Sequence, residues 1–392
     1  VTVPRGLLDG PIYLDYNATT PIDPAVTESM LPYLTAEFGN PSSTHHYGRE
    51  SRIALDHARD QVAALLGVEA ERIVFTGSGS EADNLAIRGT VLASGVVRPH
   101  VITQPTEHPA VLQACEALRR LHNAEVTFLP VDSDGLVDPA DLAAAITPRT
   151  VLVSVMAANN ETGALQPIDD LARVSREYGV VFHTDAAQAI GKIPFDATEL
   201  DLVTVVGHKM YAPKGIGALC VWPGVPLEPL VYGGGQEHGL RAGTENVALA
   251  VALGTAAELA AKDLASNGHA RIRELRDRLH HQLTTALPGR VHLNGPDTAR
   301  LPNTLNISID GIAGHELLDA TTAIAASTGS ACHSGNHQPS PVLTAMGTSA
   351  DRGLGALRLS LGRWTTTEEV DQAARHIAAA ANQRRHDTVG GA

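Results

Sequence analysis

From Arg72 to Trp222 the chain alternates short β-rich runs with helical ones, an order that few architectures accept. The β-rich runs are Arg72–Thr76, Val101–Thr103, Val126–Leu129, Val151–Met156, Val180–His183, Leu202–Val206 and Ile216–Trp222. Helical periodicity fills the gaps at Glu81–Leu92, Pro109–Leu121, Pro139–Ile146 and Ile168–Tyr178. The runs are apolar along their length, as strands are when both faces of a sheet are covered. The pattern predicts an α/β domain with a mainly parallel sheet. Helices are predicted at Ala25–Leu34 and Gly48–Leu66 before it, and at Asn246–Leu264 and Ala270–Leu287 after it. Beyond these, Val291–Leu293, Thr304–Ile309 and Leu357–Leu361 read as strands and His315–Thr321 and Thr367–Arg384 as helices, a smaller α+β unit. The expected division is a large domain over 12–262, after a lead-in of 1–11, and a small domain over 263–392, with the segment near 12–25 packing on the latter. The tail beyond Arg385 is expected to fray.

Open α/β sheets bind ligands beyond the carboxyl ends of their strands, so those ends are where chemistry-bearing residues count most. Gly77-Ser78-Gly79-Ser80-Glu81 joins a strand to a helix. Its glycines let backbone N–H groups approach an anion and the helix start favours negative charge, so it suits a phosphate; taken alone such a loop is more often a plain turn. It matches neither a dinucleotide fingerprint nor a lysine-bearing P-loop. Asp185, in His183-Thr184-Asp185-Ala186-Ala187-Gln188, ends another apolar strand, where a carboxylate needs a cationic partner or serves as a helix cap. Lys209 ends a third, in Val206-Gly207-His208-Lys209, where a desolvated amine suits carbonyl chemistry. A phosphate cradle, a carboxylate for a pyridinium nitrogen and an amine for an aldehyde together describe a pyridoxal 5'-phosphate site.

Composition narrows the partners. Lys and Arg number 29 against 43 Asp and Glu, a formal charge of −14 with no dense basic run, which disfavours direct nucleic-acid binding. The three cysteines, Cys115, Cys220 and Cys332, lack Cys-x-x-Cys spacing, so neither a disulfide framework nor a thiolate zinc site is expected, and a reducing cytoplasm fits. Val1–Gly10 has no basic segment followed by an apolar one, and no window reaches about 20 uninterrupted apolar residues, so no membrane association is expected. Cys332 lies in Ser327-Thr328-Gly329-Ser330-Ala331-Cys332-His333-Ser334-Gly335, a small, polar, glycine-spaced run that reads as a loop.

These segments resemble the cysteine desulfurases of the NifS/IscS type, in the class V aminotransferase branch of the fold-type I pyridoxal phosphate enzymes. The resemblance also takes in Tyr13–Pro21, Phe38-Gly39-Asn40-Pro41-Ser42, Thr106-Glu107-His108, Asn159–Gly163 and Gly233–Glu237, and runs in order from about Ile12 to Arg384. It implies that Lys209 bonds the cofactor, Asp185 pairs with the ring nitrogen, His108 stacks on the ring and assists proton transfer, and Gln188 reaches the ring oxygen. Gly79 and Ser80 would hold the phosphate, helped by His208 and by Thr244 from a second subunit, which implies a homodimer. Asn160 and Arg358 would bind the carboxylate of L-cysteine. Cys332 would take the sulfur as a persulfide, releasing alanine, and pass it to an acceptor protein serving iron–sulfur clusters, tRNA, cofactors or DNA. The same pocket suits a selenocysteine lyase, a conventional aminotransferase or a non-catalytic sulfur-carrier scaffold. Two positions depart from the family: Val206 stands where it usually has a phosphate-donating serine, and His333 follows the thiol. His333 and His337 are not expected to form a metal site.

Overall fold

The computed structural model describes residues 2–329 and 338–389, with side chains to Gln383. Its centre is a seven-stranded sheet made of β2 (Ile73–Thr76), β3 (His100–Thr103), β4 (Glu125–Phe128), β5 (Thr150–Ser154), β6 (Val181–Asp185), β7 (Leu202–Val206) and β8 (Gly217–Val221), after a short β1 (Ile12–Tyr13) outside it. The spatial order is β2-β8-β7-β6-β5-β3-β4. Strands β4, β3, β5, β6 and β7 are mutually parallel, whereas β8 runs antiparallel between β7 and β2. All five residues of β7 are buried, which its unbroken apolar sequence required.

One face is closed by the helices His46–Leu66 and Val247–Ala265, which pack against each other and contribute Leu55, Val62, Leu66 and Leu253 to the same buried apolar cluster as Val203 and Val205. The first of these helices ends where Gly67 takes φ +72° and its N–H closes on Ala63 O, a left-handed stop that costs a residue without Cβ nothing. Truncating a fully buried leucine such as Leu253 would cost about 2–5 kcal/mol.

A second apolar cluster gathers around an antiparallel sheet of β9 (Val291–Leu293), β10 (Thr304–Ile309) and β12 (Ala356–Ser360), with β10 central; β11 (Ile324–Ala325) lies apart. The helices Gly268–Ala286 and Thr367–Val389 cover it with Leu275, Leu279, Leu283, Val370 and Ile377. The last helix continues past the point where fraying was expected, since each added residue costs less than starting a helix. Leu14 belongs to this cluster although it stands at the other end of the chain. Pairing of β1 with β11 and the bond from Ser360 N–H to Leu14 O (2.7 Å) hold it there. The stretch 13–20 therefore leaves the small sheet and crosses to the ends of the large one, and the site forms where it arrives.

Candidate active site

Five strand ends of the large sheet, the 13–20 stretch and β12 enclose a cavity of about 510 Å³. Among its lining residues are Asp15, Asn17, Gly79, Ser80, Asp83, His108, Asn160, Asp185, Gln188, Val206, His208, Lys209 and Arg358. The folded chain thus brings together every sequence-predicted site residue except Thr244, which is exposed and does not line its own chain's cavity, and Cys332, which with His333 and His337 lies outside the described residues.

Lys209 follows β7 in a single tight turn. Its Nζ donates to Asn17 O (2.6 Å) and Ala18 O (2.7 Å), so the amine meets carbonyl dipoles, with no carboxylate paired to it among the described residues. Burial, reinforced by Arg358, lowers its pKa to about 8, with Asp185 and Asp15 working against the fall. Asp185 ends β6 and is buried, and Ala187 N–H donates to its Oδ1 at 2.9 Å. Burial raises its pKa, and His108 and Lys209 oppose the rise.

His108 caps the helix Pro109–His122: its Nδ1 accepts from Ala110 N–H at 3.1 Å, which puts the proton of the neutral ring on Nε2. Burial lowers its pKa, as does Lys209, while Asp185 raises it, so the neutral ring prevails near pH 7. Behind it, Glu107 accepts from Met156 N–H (2.6 Å) and Gln104 Nε2 (2.9 Å), and burial pushes its carboxyl up to about 8. His208 lies within bonding distance of Thr19 Oγ1 (3.2 Å), and burial followed by Lys209 lowers its pKa to about 4, so it acts as an uncharged donor or acceptor.

The opposite wall opens the helix that starts at Gly79, where Ser78 caps by accepting from Glu81 N–H. There is no room for a Cβ on Gly79, because Val206 Cγ2 occupies that place. The third wall holds Arg358, buried on β12, whose Nη2 pairs with Asp15 Oδ1 (2.7 Å) and whose Nη1 donates to Asn160 O (3.2 Å). Its Nε has no partner among the described residues. Gln188 is already engaged at both ends of its amide, donating to Asn17 O (3.0 Å) and accepting from Lys192 Nζ.

Several residues here escaped the sequence. Lys192 is a lysine held between Gln188 and Asn17 Oδ1 (3.2 Å), its pKa driven down by burial and then by Lys209 and Arg358. Asp83 lies beneath Asp185, with its Oδ1 3.8 Å from His183 Nε2 and no hydrogen bond to that oxygen among the described residues. Burial, and then Asp185 itself, raises its pKa well above the carboxylate range. Ligand-type atoms of Asp83, His108 and Asp185 all fall within 4.8 Å of one another. Helical spacing was a signal for Asp83, which stands one turn after Gly79 in the same helix, whereas Lys192 lies in the turns after β6 and had none.

Such a cavity, with an amine, a carboxylate and a glycine turn on neighbouring ends of a mainly parallel sheet, defines a class before it defines a protein. The family model "Aminotransferase class-V" matches residues 12–373. A cysteine desulfurase IscS from Anaeromyxobacter dehalogenans is 47% identical over 370 residues, covering 93% of this chain and 91% of that one. The human cysteine desulfurase is 45% identical over 366 residues, covering 92% and 79%. Among solved structures, a NifS-like protein superposes with a TM-score of 0.88 at 36% identity, covering 94% of this chain and 98% of the other. The chain belongs to the class V aminotransferases of fold-type I and, within them, to the cysteine desulfurases, enzymes that depend on pyridoxal phosphate.

Proposed function

We propose that this chain binds pyridoxal 5'-phosphate in the cavity around Lys209, converts L-cysteine to L-alanine there, and carries the sulfur away as a persulfide on Cys332. The observation that carries the reading is the convergence of Lys209, Asp185 and His108 on one cavity whose far wall is the Gly79–Ser80 turn. The donor set fits the cofactor: Asp185 is a buried carboxylate with no ion-paired cation among the described residues, which a protonated ring nitrogen would supply, and the packing of Val206 against Gly79 leaves a backbone-lined cradle for the phosphate. When bound, the cofactor offers an aldehyde to amines and a ring that accepts electrons from the substrate's Cα.

The remaining chemistry belongs to side chains. Lys209, with a pKa of about 8, holds the cofactor and moves the proton at the substrate's Cα, with His108 alongside as a neutral Nε2 donor. Gln188 and His208 steady the ring oxygen and the phosphate. Arg358 receives the substrate carboxylate beside Asn160, exchanging part of its pairing with Asp15. The Cys332 thiolate attacks the substrate sulfur: the S–S bond forms as the substrate's Cβ–S bond breaks, and the electron pair stays with the carbon skeleton, which takes up protons and leaves as alanine. An acceptor-protein thiol then removes the outer sulfur, for iron–sulfur clusters or another sulfur-bearing product.

The same reading makes the protein a homodimer, with the exposed Thr244 completing the partner's phosphate site, and divides the chain near Lys262 between the two apolar clusters. The buried free thiols Cys115 and Cys220 suit a reducing cytoplasm, and no helix among the described residues is long and apolar enough to cross a membrane. The deciding experiment is Cys332→Ala. Cofactor colour and its response to L-cysteine should persist while sulfide and persulfide formation disappear; sulfide release at the wild-type rate would refute the assignment.

A further inference from the structure

Glu161 is a buried carboxylate that the chemistry above does not use. It sits in the turn Asn159–Gly163, next to Asn160, and its backbone is fixed on both sides. Asn159 Oδ1 accepts from Glu161 N–H (2.9 Å), and Asn306 Nδ2 donates to Glu161 O (3.1 Å). The residue as a whole is 7% exposed. Ser340 Oγ is 2.5 Å from Glu161 Oε2 while accepting from Val342 N–H (3.1 Å) as the cap of the helix Pro341–Ala345. A hydroxyl has one proton, and geometry assigns it to the carboxylate.

On the other side lies Gly329, with φ +89°, where an added Cβ would sit 2.9 Å from the same oxygen. Only a glycine lets the chain pass so close in this backbone conformation. Gly329 N–H in turn donates to Ser327 Oγ (3.0 Å), and Ser327 exchanges backbone bonds with Arg358, from Arg358 N–H to Ser327 O (2.7 Å) and from Ser327 N–H to Arg358 O (3.4 Å). Gly329 and Ser340 flank the stretch of sequence that holds Cys332. One carboxylate oxygen therefore bonds the Ser340 flank, leaves no room for a Cβ on the Gly329 flank, and belongs to the residue after Asn160.

We propose that Glu161 is a positioning residue for sulfur transfer: its carboxylate registers both flanks of the Cys332 segment against the turn that presents Asn160 to the substrate. It touches neither cofactor nor reacting atoms, and acts through Ser340 and Gly329. Burial pushes its carboxyl up to about 7, with the Ser340 bond and Arg358 opposing. This inference rests on the desulfurase assignment, and its test separates the two.

Glu161→Gln, Ser340→Ala and Gly329→Ala are made in the holoenzyme and mixed with L-cysteine in single turnover. The cofactor's absorbance change is followed alongside the persulfide on Cys332, trapped by alkylation and weighed by mass spectrometry. Persulfide formation should slow by about tenfold in Glu161→Gln and Ser340→Ala, the scale of one weakened or lost hydrogen bond, while the absorbance change keeps its wild-type rate. In Gly329→Ala, where the added Cβ would meet the same oxygen at the edge of the cavity, persulfide formation should slow as well. The Glu161→Gln, Ser340→Ala double variant should be little slower than Ser340→Ala alone, because both act on the same link, which the first weakens and the second removes. Glu161→Gln keeps the shape of the side chain and Gly329→Ala leaves the carboxylate intact, so a folding defect in one does not decide the matter. Wild-type persulfide rates in Glu161→Gln and Ser340→Ala would overturn the proposal, as would a parallel fall in both signals, which would make Glu161 a general support of the cofactor site. If Cys332→Ala itself still released sulfide, the desulfurase assignment would fall first.

Discussion

Two walls of one cavity are built in opposite ways. The ring side takes Asp185, His108 and Lys209 from strand ends of a single sheet and the turns just beyond them, and Asp83 from the helix that follows the Gly77–Glu81 turn. The substrate side is assembled across the chain: Asp15 pairs with Arg358 at a separation of 343 residues, and Asn17 Nδ2 reaches Thr304 Oγ1 at 287. Local geometry sets the first wall, whereas tertiary docking sets the second. Damage to the ring side should therefore register as lost cofactor chemistry, and damage to the substrate side as lost affinity for L-cysteine with the cofactor still in place.

The largest effect should come from Lys209→Ala, which removes the amine that moves the Cα proton: turnover should fall by about 10²–10⁴-fold or vanish, measured as alanine formation. Asp185→Asn should follow, weakening cofactor affinity by roughly 30- to 1,000-fold, since it removes one partner of a buried charge pair, as fluorescence titration of the cofactor-free protein would read. The pH dependence of cofactor uptake tests the same wall. With the Lys209 pKa lowered to about 8, the reactive neutral amine dominates above that pH, and below it the fraction falls by about tenfold per pH unit, so the rate of reconstitution should drop on acidification through pH 8. A midpoint near an ordinary lysine value would contradict the burial argument.

Arg358→Lys should raise KM for L-cysteine by about ten- to a hundred-fold and leave cofactor affinity within a factor of about two, because it trades a bidentate fork for a point charge. If it loosened the cofactor as much as Asp185→Asn does, the contrast between the walls would collapse. Smallest is Val206→Ser, which adds a hydroxyl to the phosphate cradle and should tighten cofactor binding by about fivefold. Gly79→Ala should weaken binding in the native background, where Val206 Cγ2 fills the space, and be tolerated when combined with Val206→Ser.

Legibility in the sequence follows the same divide. Lys209, Asp185 and the Gly77–Glu81 turn could be found because each ends an apolar run, and a run's end has a known place in an open sheet. The alternation of elements pointed to the strands of the large sheet, although it was silent about β8 running backwards. Arg358 was singled out, but its pairing with Asp15 was not, since periodicity carries no information about contacts between distant segments. Lys192, Asp83 and Glu161 were missed for another reason: a buried charge and a solvated one have the same letter, and only the packed structure distinguishes them. The two-residue pairing of β1 with β11 is too short to leave any periodic trace.

That pairing, with the bonds of Leu14 and Asn17 to Ser360, also governs when the site can exist. Residues 13–20 precede the large sheet in the chain and β12 follows it, so synthesis makes them far apart in time. The large sheet can form while its reactive amine still lacks one wall, and the cavity closes only when β12 has joined the 13–20 stretch. The order of synthesis thus postpones the chemistry until β12 has been made.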